Sequence, residues 1–238
     1  MYETIVLGAT YTAAGIGLRL KKKCLILEQS FQAGGEFFGA LNFGKDYHKP
    51  RKTPEGEQLY CQFFGEGATP YVRNTNIYPL LQNCDVLFGT QIVSIEKNEN
   101  GFLCKTYGIN GYDSFTAKNV IDTRCTANRT ALKTYNLLML SATLPSISGV
   151  EAESTGIDCH YVLRCPVSLS CDYNQAHEIA ENVAYQFSDG QKLILLADEF
   201  DHYPLGDLPE TANGVRILPS KAYPNPICAF EAGLEVQL

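Results

Sequence analysis

The first 28 residues constrain this chain more than any other part. Thr4-Ile5-Val6-Leu7 is a short apolar run rich in branched side chains, closed by Gly8, and residues 12–20 carry small and apolar side chains at helical spacing. Lys21, Lys22 and Lys23 form a polar turn, after which Cys24-Leu25-Ile26-Leu27 is a second apolar run ending at Glu28. Strand, helix and strand in so few residues make a βαβ unit, and its strands lie parallel because the crossover is a helix.

The rest of the chain changes character three times. Residues 31–75 are rich in Gly, aromatic and polar side chains and show no long periodic element, so they read as loops wrapped over a site. A short helix is expected over 77–82. From Asp85 short strands follow at 86–88, 91–96, 102–107, 114–117 and 119–122, separated by turn residues at 98–101 and 110–111. This is a β-meander returning to a buried strand at Val120-Ile121. Strand-like 160–169, a helical pattern over 174–187 and strand-like 192–197 suggest a small β-α-β layer. A last strand at 215–218 precedes a Pro-rich turn and a helix from Pro226.

Composition excludes several function classes. With 238 residues, 45% apolar and 19% charged, the chain buries a sizeable core. Its formal charge of −7 disfavours a surface for nucleic acid or anionic lipid, and the three lysines at 21–23 read as a solvated turn. No apolar run approaches the roughly 20 residues needed to cross a bilayer, and the N-terminus lacks a leader pattern, so a cytoplasmic protein is expected. Nine cysteines form no C-x-x-C pair and read as buried, reduced thiols; four scattered histidines give no metal pair, and no metal is assigned.

Gly8 before a helix, with Glu28 closing the next strand, is the spacing of a dinucleotide-binding unit. Gly8 permits the tight turn, the helix start offers N–H groups to a pyrophosphate, and the Glu28 carboxylate can accept ribose hydroxyls. Thr10 and Ala13 stand at the second and third glycine positions of G-x-G-x-x-G. The Thr10 side chain either crowds the phosphate or donates its hydroxyl to it, and a purely structural βαβ unit has the same pattern.

Taken together, Thr4-Ile-Val-Leu-Gly-Ala-Thr, Cys24-Leu-Ile-Leu-Glu-Gln-Ser with Gly34-Gly35, Gly89-Thr90-Gln-Ile-Val-Ser-Ile-Glu, Ala117-Lys-Asn-Val-Ile-Asp-Thr and the segment from Leu218 to Gly233 resemble the FAD-dependent oxidoreductases of the glutathione-reductase-like superfamily. The resemblance covers about half the chain, in the right order. After Asp122-Thr123, where that family has a small residue, this chain has Arg124 and Cys125.

The resemblance implies an α/β fold: a Rossmann-like FAD-binding domain with parallel sheet and β-meander, over 1–145 and 213–238, and a small α+β insert over 146–212 that caps the flavin. It implies FAD as cofactor, with pyrophosphate contacts from Gly8, Thr10 and Ala13, a ribose contact from Glu28, a flavin-side turn at Gly34 and Gly35, and adenine against Ile92 and Val93. Gly34-Gly35 as a plain loop bend and Ile92-Val93 as core remain open. Asn225 and Pro226 form a helix-start signature, and N–H groups of Ile227 and Cys228 would then face the flavin. The implied function is oxidation or reduction of a small molecule. The alternatives are a flavin-binding subunit serving a protein electron-transfer partner, and a nucleotide-free structural relative. Arg51, Arg73, Arg124, Arg164, His160, His202, Tyr203 and Tyr223 are candidates for substrate handling. Asp198-Glu199-Phe200-Asp201 reads as a solvated strand end.

Overall fold

The computed structural model describes residues 1–65, 76–206 and 210–238. The opening unit forms as the sequence predicts: β1 (Tyr2–Leu7), α1 (Tyr11–Leu20) and β2 (Cys24–Leu27), with β1 and β2 parallel and Val6 opposite Ile26. Alternate residues of these strands serve two cores. Val6 and Ile26 pack with Ile16 of α1, whereas Ile5, Leu7, Leu25 and Leu27 face the meander residues Phe102 and Cys104.

Helix α2 (Pro54–Phe64) follows, then α3 (Ile77–Leu81) and β3 (Asp85–Leu87), which extends the parallel sheet beyond β2. Helix α2 lies in the stretch read as loop. Thr53 caps it by accepting from Gly56 N, Pro54 opens it, and Leu59 and Phe63 anchor it in the core. The meander is β4 (Gln91–Asn98), β5 (Gly101–Gly108) and β6 (Gly111–Asp122). The two short strands expected at 114–117 and 119–122 are one strand, β6, antiparallel to β5 and parallel to β1 near its end.

The second sheet is antiparallel. It contains β7 (Thr130–Leu140), β8 (Glu151–Ser154), β9 (His160–Val167), β10 (Lys192–Leu196) and β11 (Asp201–Pro204), with α4 (Tyr173–Ala184) packed through Ala176, Ala180 and Val183. Strand β7 pairs with β9, β10 and β11, so this sheet begins at Thr130, well before residue 146. The chain then rejoins the first sheet through β12 (Thr211–Ala212) and β13 (Val215–Ile217) and ends in α5 (Pro226–Glu235).

The carboxyl ends of the parallel strands come into line, since Leu7 pairs with both Leu27 and Asp122, Leu27 with Leu87, and Asp122 with Ile217. Gly8, Glu28 and Thr123 therefore emerge at one edge, where open α/β sheets bind ligands. Among the described residues no disulfide joins cysteines, and Cys61 and Cys159 are exposed, contrary to the expectation that the thiols are buried. No helix among them is long and apolar enough to cross a membrane.

Helices α1 and α5 touch backbone to backbone. A Cβ on Gly15 would fall on the Phe230 carbonyl oxygen, and one on Gly233 on the Thr12 carbonyl oxygen. Gly15 thus serves the helix pair, while Gly17 lies against Cys84, whose Sγ a Cβ would meet at 2.8 Å. Gly15→Ala is expected to lower stability by about 2 kcal/mol through overpacking, despite the better helix propensity of alanine. Urea unfolding of the variant checks this.

Candidate functional site

The site grows from the turn after β1. Gly8 has φ +93°, and a Cβ there would press on Arg124 as well as strain the backbone. Thr10 caps α1: its hydroxyl accepts from Ala13 N at 3.1 Å and donates to Thr123 Oγ1 at 2.8 Å. The side chain is thus engaged within the protein on both its donor and acceptor sides, and the Ala13 N–H is spent on the cap.

Two backbone donors of this turn, Ala9 N and Tyr11 N, hold carboxyl oxygens. Glu28 accepts from Ala9 N and from Ser30 N, both at 2.7 Å. Glu36, on the single-turn π-helix Gly35–Gly39 that follows Gly34 (φ +73°), accepts from Tyr11 N at 2.9 Å and from Ser220 Oγ at 2.8 Å. These contacts place carboxyl oxygens at the positive end of α1. A third carboxylate belongs to Glu199, whose backbone N–H docks on Gly39 O at 3.1 Å. Its side chain lies where a Cβ on Gly35 would be, which gives Gly35 a steric reason to lack one. Burial pushes the Glu36 carboxyl up from 4.5 to about 7, against the opposing pull of Tyr11 N–H, Ser220 and Lys221. Glu199 is also raised to about 7, by burial first and then by the charges of Glu36, Glu28 and Asp198.

A cleft beside this turn and a larger chamber have one lining residue in common. The cleft, of about 220 Å³, is lined by Ala9, Thr10, Glu28, Glu36 and Glu199, and the chamber, of about 710 Å³ on the second sheet, by Asn42, Arg164, Tyr203 and Tyr223. Lys221 lines both. Its Nζ lies 2.8 Å from Asp201 Oδ1, with side-chain exposures of 6% and 0%. Asp201 Oδ2 accepts from Asn42 Nδ2 at 2.6 Å and Asn136 Nδ2 at 3.4 Å. The acidic run at 198–201 is therefore not a solvated strand end: Asp201 is fully buried and Glu199 faces the cleft, because the turn before β11 folds onto Gly39.

Gly8, Thr10, Ala13, Glu28, Gly34 and Gly35 come together around the turn. Ile92 and Val93 do not join them; they lie on β4, which pairs only with β5 among the described strands, and Val93 is 54% exposed. Asn225 caps α5 as its sequence predicts, accepting from Cys228 N at 2.9 Å, and Pro226 and Ile227 are buried. The cap thus consumes the Cys228 N–H, while the chamber wall reaches Tyr223 and Pro224. Arg164, Tyr203 and Tyr223 line the chamber, and Arg124 and His202 the cleft. Arg51 stacks on Tyr60 and His160 bonds Asp158 O, away from both cavities; Arg73 lies outside the described residues. Sequence reading missed Glu36, Asn42, Asp201 and Lys221. Only Glu36 carried a local signal, following directly on Gly34-Gly35.

No protein-family model and no curated protein matches the sequence. Solved structures do match in fold. CabE, an aromatic hydroxylase from angucycline biosynthesis, aligns over 91% of this chain and 55% of its own, with TM-score 0.53 and 12% identity. The p-nitrophenol 4-monooxygenase PnpA of Pseudomonas putida aligns over 98% and 76%, with TM-score 0.54 and 9% identity. Aklavinone-11 hydroxylase, solved with FAD and aklavinone, aligns over 98% and 60%, with TM-score 0.52 and 8% identity. The chain has their fold. It spans little more than half the length of CabE and 60% of the aklavinone hydroxylase. The Rossmann-like α/β architecture expected from the sequence is thereby established.

Proposed function

We propose that this chain binds FAD and acts as an oxidoreductase on a small molecule, as a member of the glutathione-reductase-like superfamily. The observation that carries the reading is the turn at Gly8–Tyr11, set in a fold shared with a hydroxylase solved with FAD, whose backbone N–H groups already hold carboxyl oxygens. Such a donor set suits a diphosphate, and a cleft and a chamber that both border Lys221 suit a two-part dinucleotide. In this arrangement Glu28 holds the ribose, Ala9 and Tyr11 N–H hold the diphosphate, and the chamber takes the flavin ring and substrate. The insert over 146–212, together with β7 on which it pairs, closes the chamber from the substrate side through Arg164 and Tyr203. Bound flavin would supply the redox chemistry; the protein's part is to bind, orient and exclude water.

A nucleotide-free relative is the second reading, favoured by one observation: the Ala9 and Tyr11 N–H groups are both occupied by carboxyl oxygens of the chain itself, those of Glu28 and Glu36. Visible absorbance of the purified protein, with FAD released on denaturation, separates the two. Protein that carries no flavin and takes up none on titration overturns the proposal. Where FAD binds, Glu28→Ala is expected to weaken it by about 1.5–3 kcal/mol, the worth of hydrogen bonds to a charged group. Unaltered affinity in that variant removes Glu28 from the site. Reduction by candidate donors without a protein partner separates an oxidoreductase from an electron-transfer subunit.

A further inference from the structure

We propose that Lys221, held in place by Asp201 and bordering both the cleft and the chamber, is a binding residue that takes an anionic oxygen of the ligand. The inference deepens the flavin reading and rests on it for the identity of the ligand.

Two features single out Lys221. First, the pair is almost fully withdrawn from water, and a buried ion pair contributes little net stability against apolar residues of the same volume. Stability is therefore a poor reason to place it beside two cavities. Second, the ammonium is incompletely matched. An ammonium has three N–H donors; among the described residues Asp201 is the one carboxylate within ion-pair distance of Nζ, the rings of Phe37 and Tyr203 lie at 4.7 Å and 5.4 Å, and the Glu36 carboxyl is near enough for the ammonium charge to pull its pKa down. Ring faces attract the charge but accept no strong hydrogen bond. The other oxygen of Asp201 is committed to the amides of Asn42 and Asn136, which fix the carboxylate and through it the lysine. By contrast, Arg124 in the cleft is bound by Asp122, and Arg164 in the chamber reaches both Glu151 and Glu153, although its Nε meets no acceptor. Lys221 thus has more donors than Asp201 accepts and lines both cavities, in surroundings where water screens its charge little.

The anion has two sources: the diphosphate of FAD, reached from the cleft, or a carboxylate or phenolate of a chamber ligand. Calorimetric titration with FAD, riboflavin, inorganic pyrophosphate and benzoate distinguishes them. The proteins compared are wild type, Lys221→Arg, and the double variant Lys221→Met with Asp201→Asn, which leaves no uncompensated charge; thermal unfolding verifies that each folds. The double variant is expected to lose at least tenfold in affinity for FAD and pyrophosphate with riboflavin unchanged, if the diphosphate is the anion. It loses tenfold for benzoate alone if a chamber ligand is. Lys221→Arg retains part of the affinity in either case. All probes unchanged in a folded double variant overturn the role of Lys221. Wild type that binds pyrophosphate or benzoate but neither flavin overturns the flavin reading while Lys221 is still read from those anions, and wild type that binds none of the four overturns both.

Discussion

Glu36→Gln is expected to stabilise the protein by about 2–3 kcal/mol at pH 8 and to change it little at pH 4. The Glu36 carboxyl titrates near 4.5 when unfolded and at about 7 in the fold, so the protonated form is the one that folding favours. A group raised in this way contributes its full stability below pH 4.5, loses it as pH climbs through 7, and levels off above. The span from 4.5 to about 7 corresponds to about 3 kcal/mol, at roughly 1.36 kcal/mol for each tenfold change in proton affinity. Glutamine imitates the neutral acid in size and still accepts from Tyr11 N and Ser220 Oγ through its carbonyl oxygen. It therefore keeps the low-pH stability at every pH. Glu199 is raised in the same direction and partly by Glu36 itself, so the gain at Glu36 is smaller when Glu199 is already Gln. Urea midpoints measured from pH 4 to pH 8 check this. A wild-type curve parallel to that of Glu36→Gln would show that Glu36 is ionised throughout, with its charge fully met by the N-terminus of α1.

What the sequence made legible was whatever is local and periodic. The unit β1-α1-β2 was readable because two apolar runs flank a helical pattern and each ends on a residue with its own reason, Gly8 for the turn and Glu28 for the carboxylate. Asn225-Pro226 announced α5 in the same way, through the requirements of a helix start. Strand β7 was not readable because residues 133–139 are buried on both faces, and Lys133, Thr134 and Asn136 interrupt the apolar run that would have marked such a strand. Those polar residues are there for tertiary reasons: Lys133 Nζ bonds the Cys171 carbonyl, and Asn136 joins Ala40 O to Asp201. Helix α2 did carry a signal, Thr53-Pro54 with Leu59 and Phe63 one turn apart, hidden in a glycine-rich and aromatic stretch. The site was half legible for the same reason. Its turn residues are close in sequence, but Lys221, Asp201 and Asn42 are brought together from three distant segments, and no spacing relates them.

Asp201→Ala is expected to destabilise the protein by about 3–5 kcal/mol, the range for breaking a buried ion pair by removing one partner. The substitution strands Lys221 Nζ in a place with 6% side-chain exposure and takes away the acceptor that Asn42 Nδ2 meets at 2.6 Å. Asn136 is less affected, because its amide also donates to Ala40 O at 2.7 Å. The cost should therefore fall on the charge and not on the lost packing of a small side chain. A second substitution tests that partition. Adding Lys221→Met to Asp201→Ala removes the stranded ammonium and puts an unbranched apolar side chain beside the rings of Phe37 and Tyr203, where a thioether packs well. Stability should recover to within about 1–2 kcal/mol of wild type, leaving Asn42 as the main unmet group. If the double variant is as unstable as Asp201→Ala alone, the loss lies in the amide network around Oδ2, and the ion pair is incidental to the fold. Recovery instead means that the protein keeps a charged pair beside its two cavities although an uncharged one folds almost as well, as a charge retained for a ligand requires.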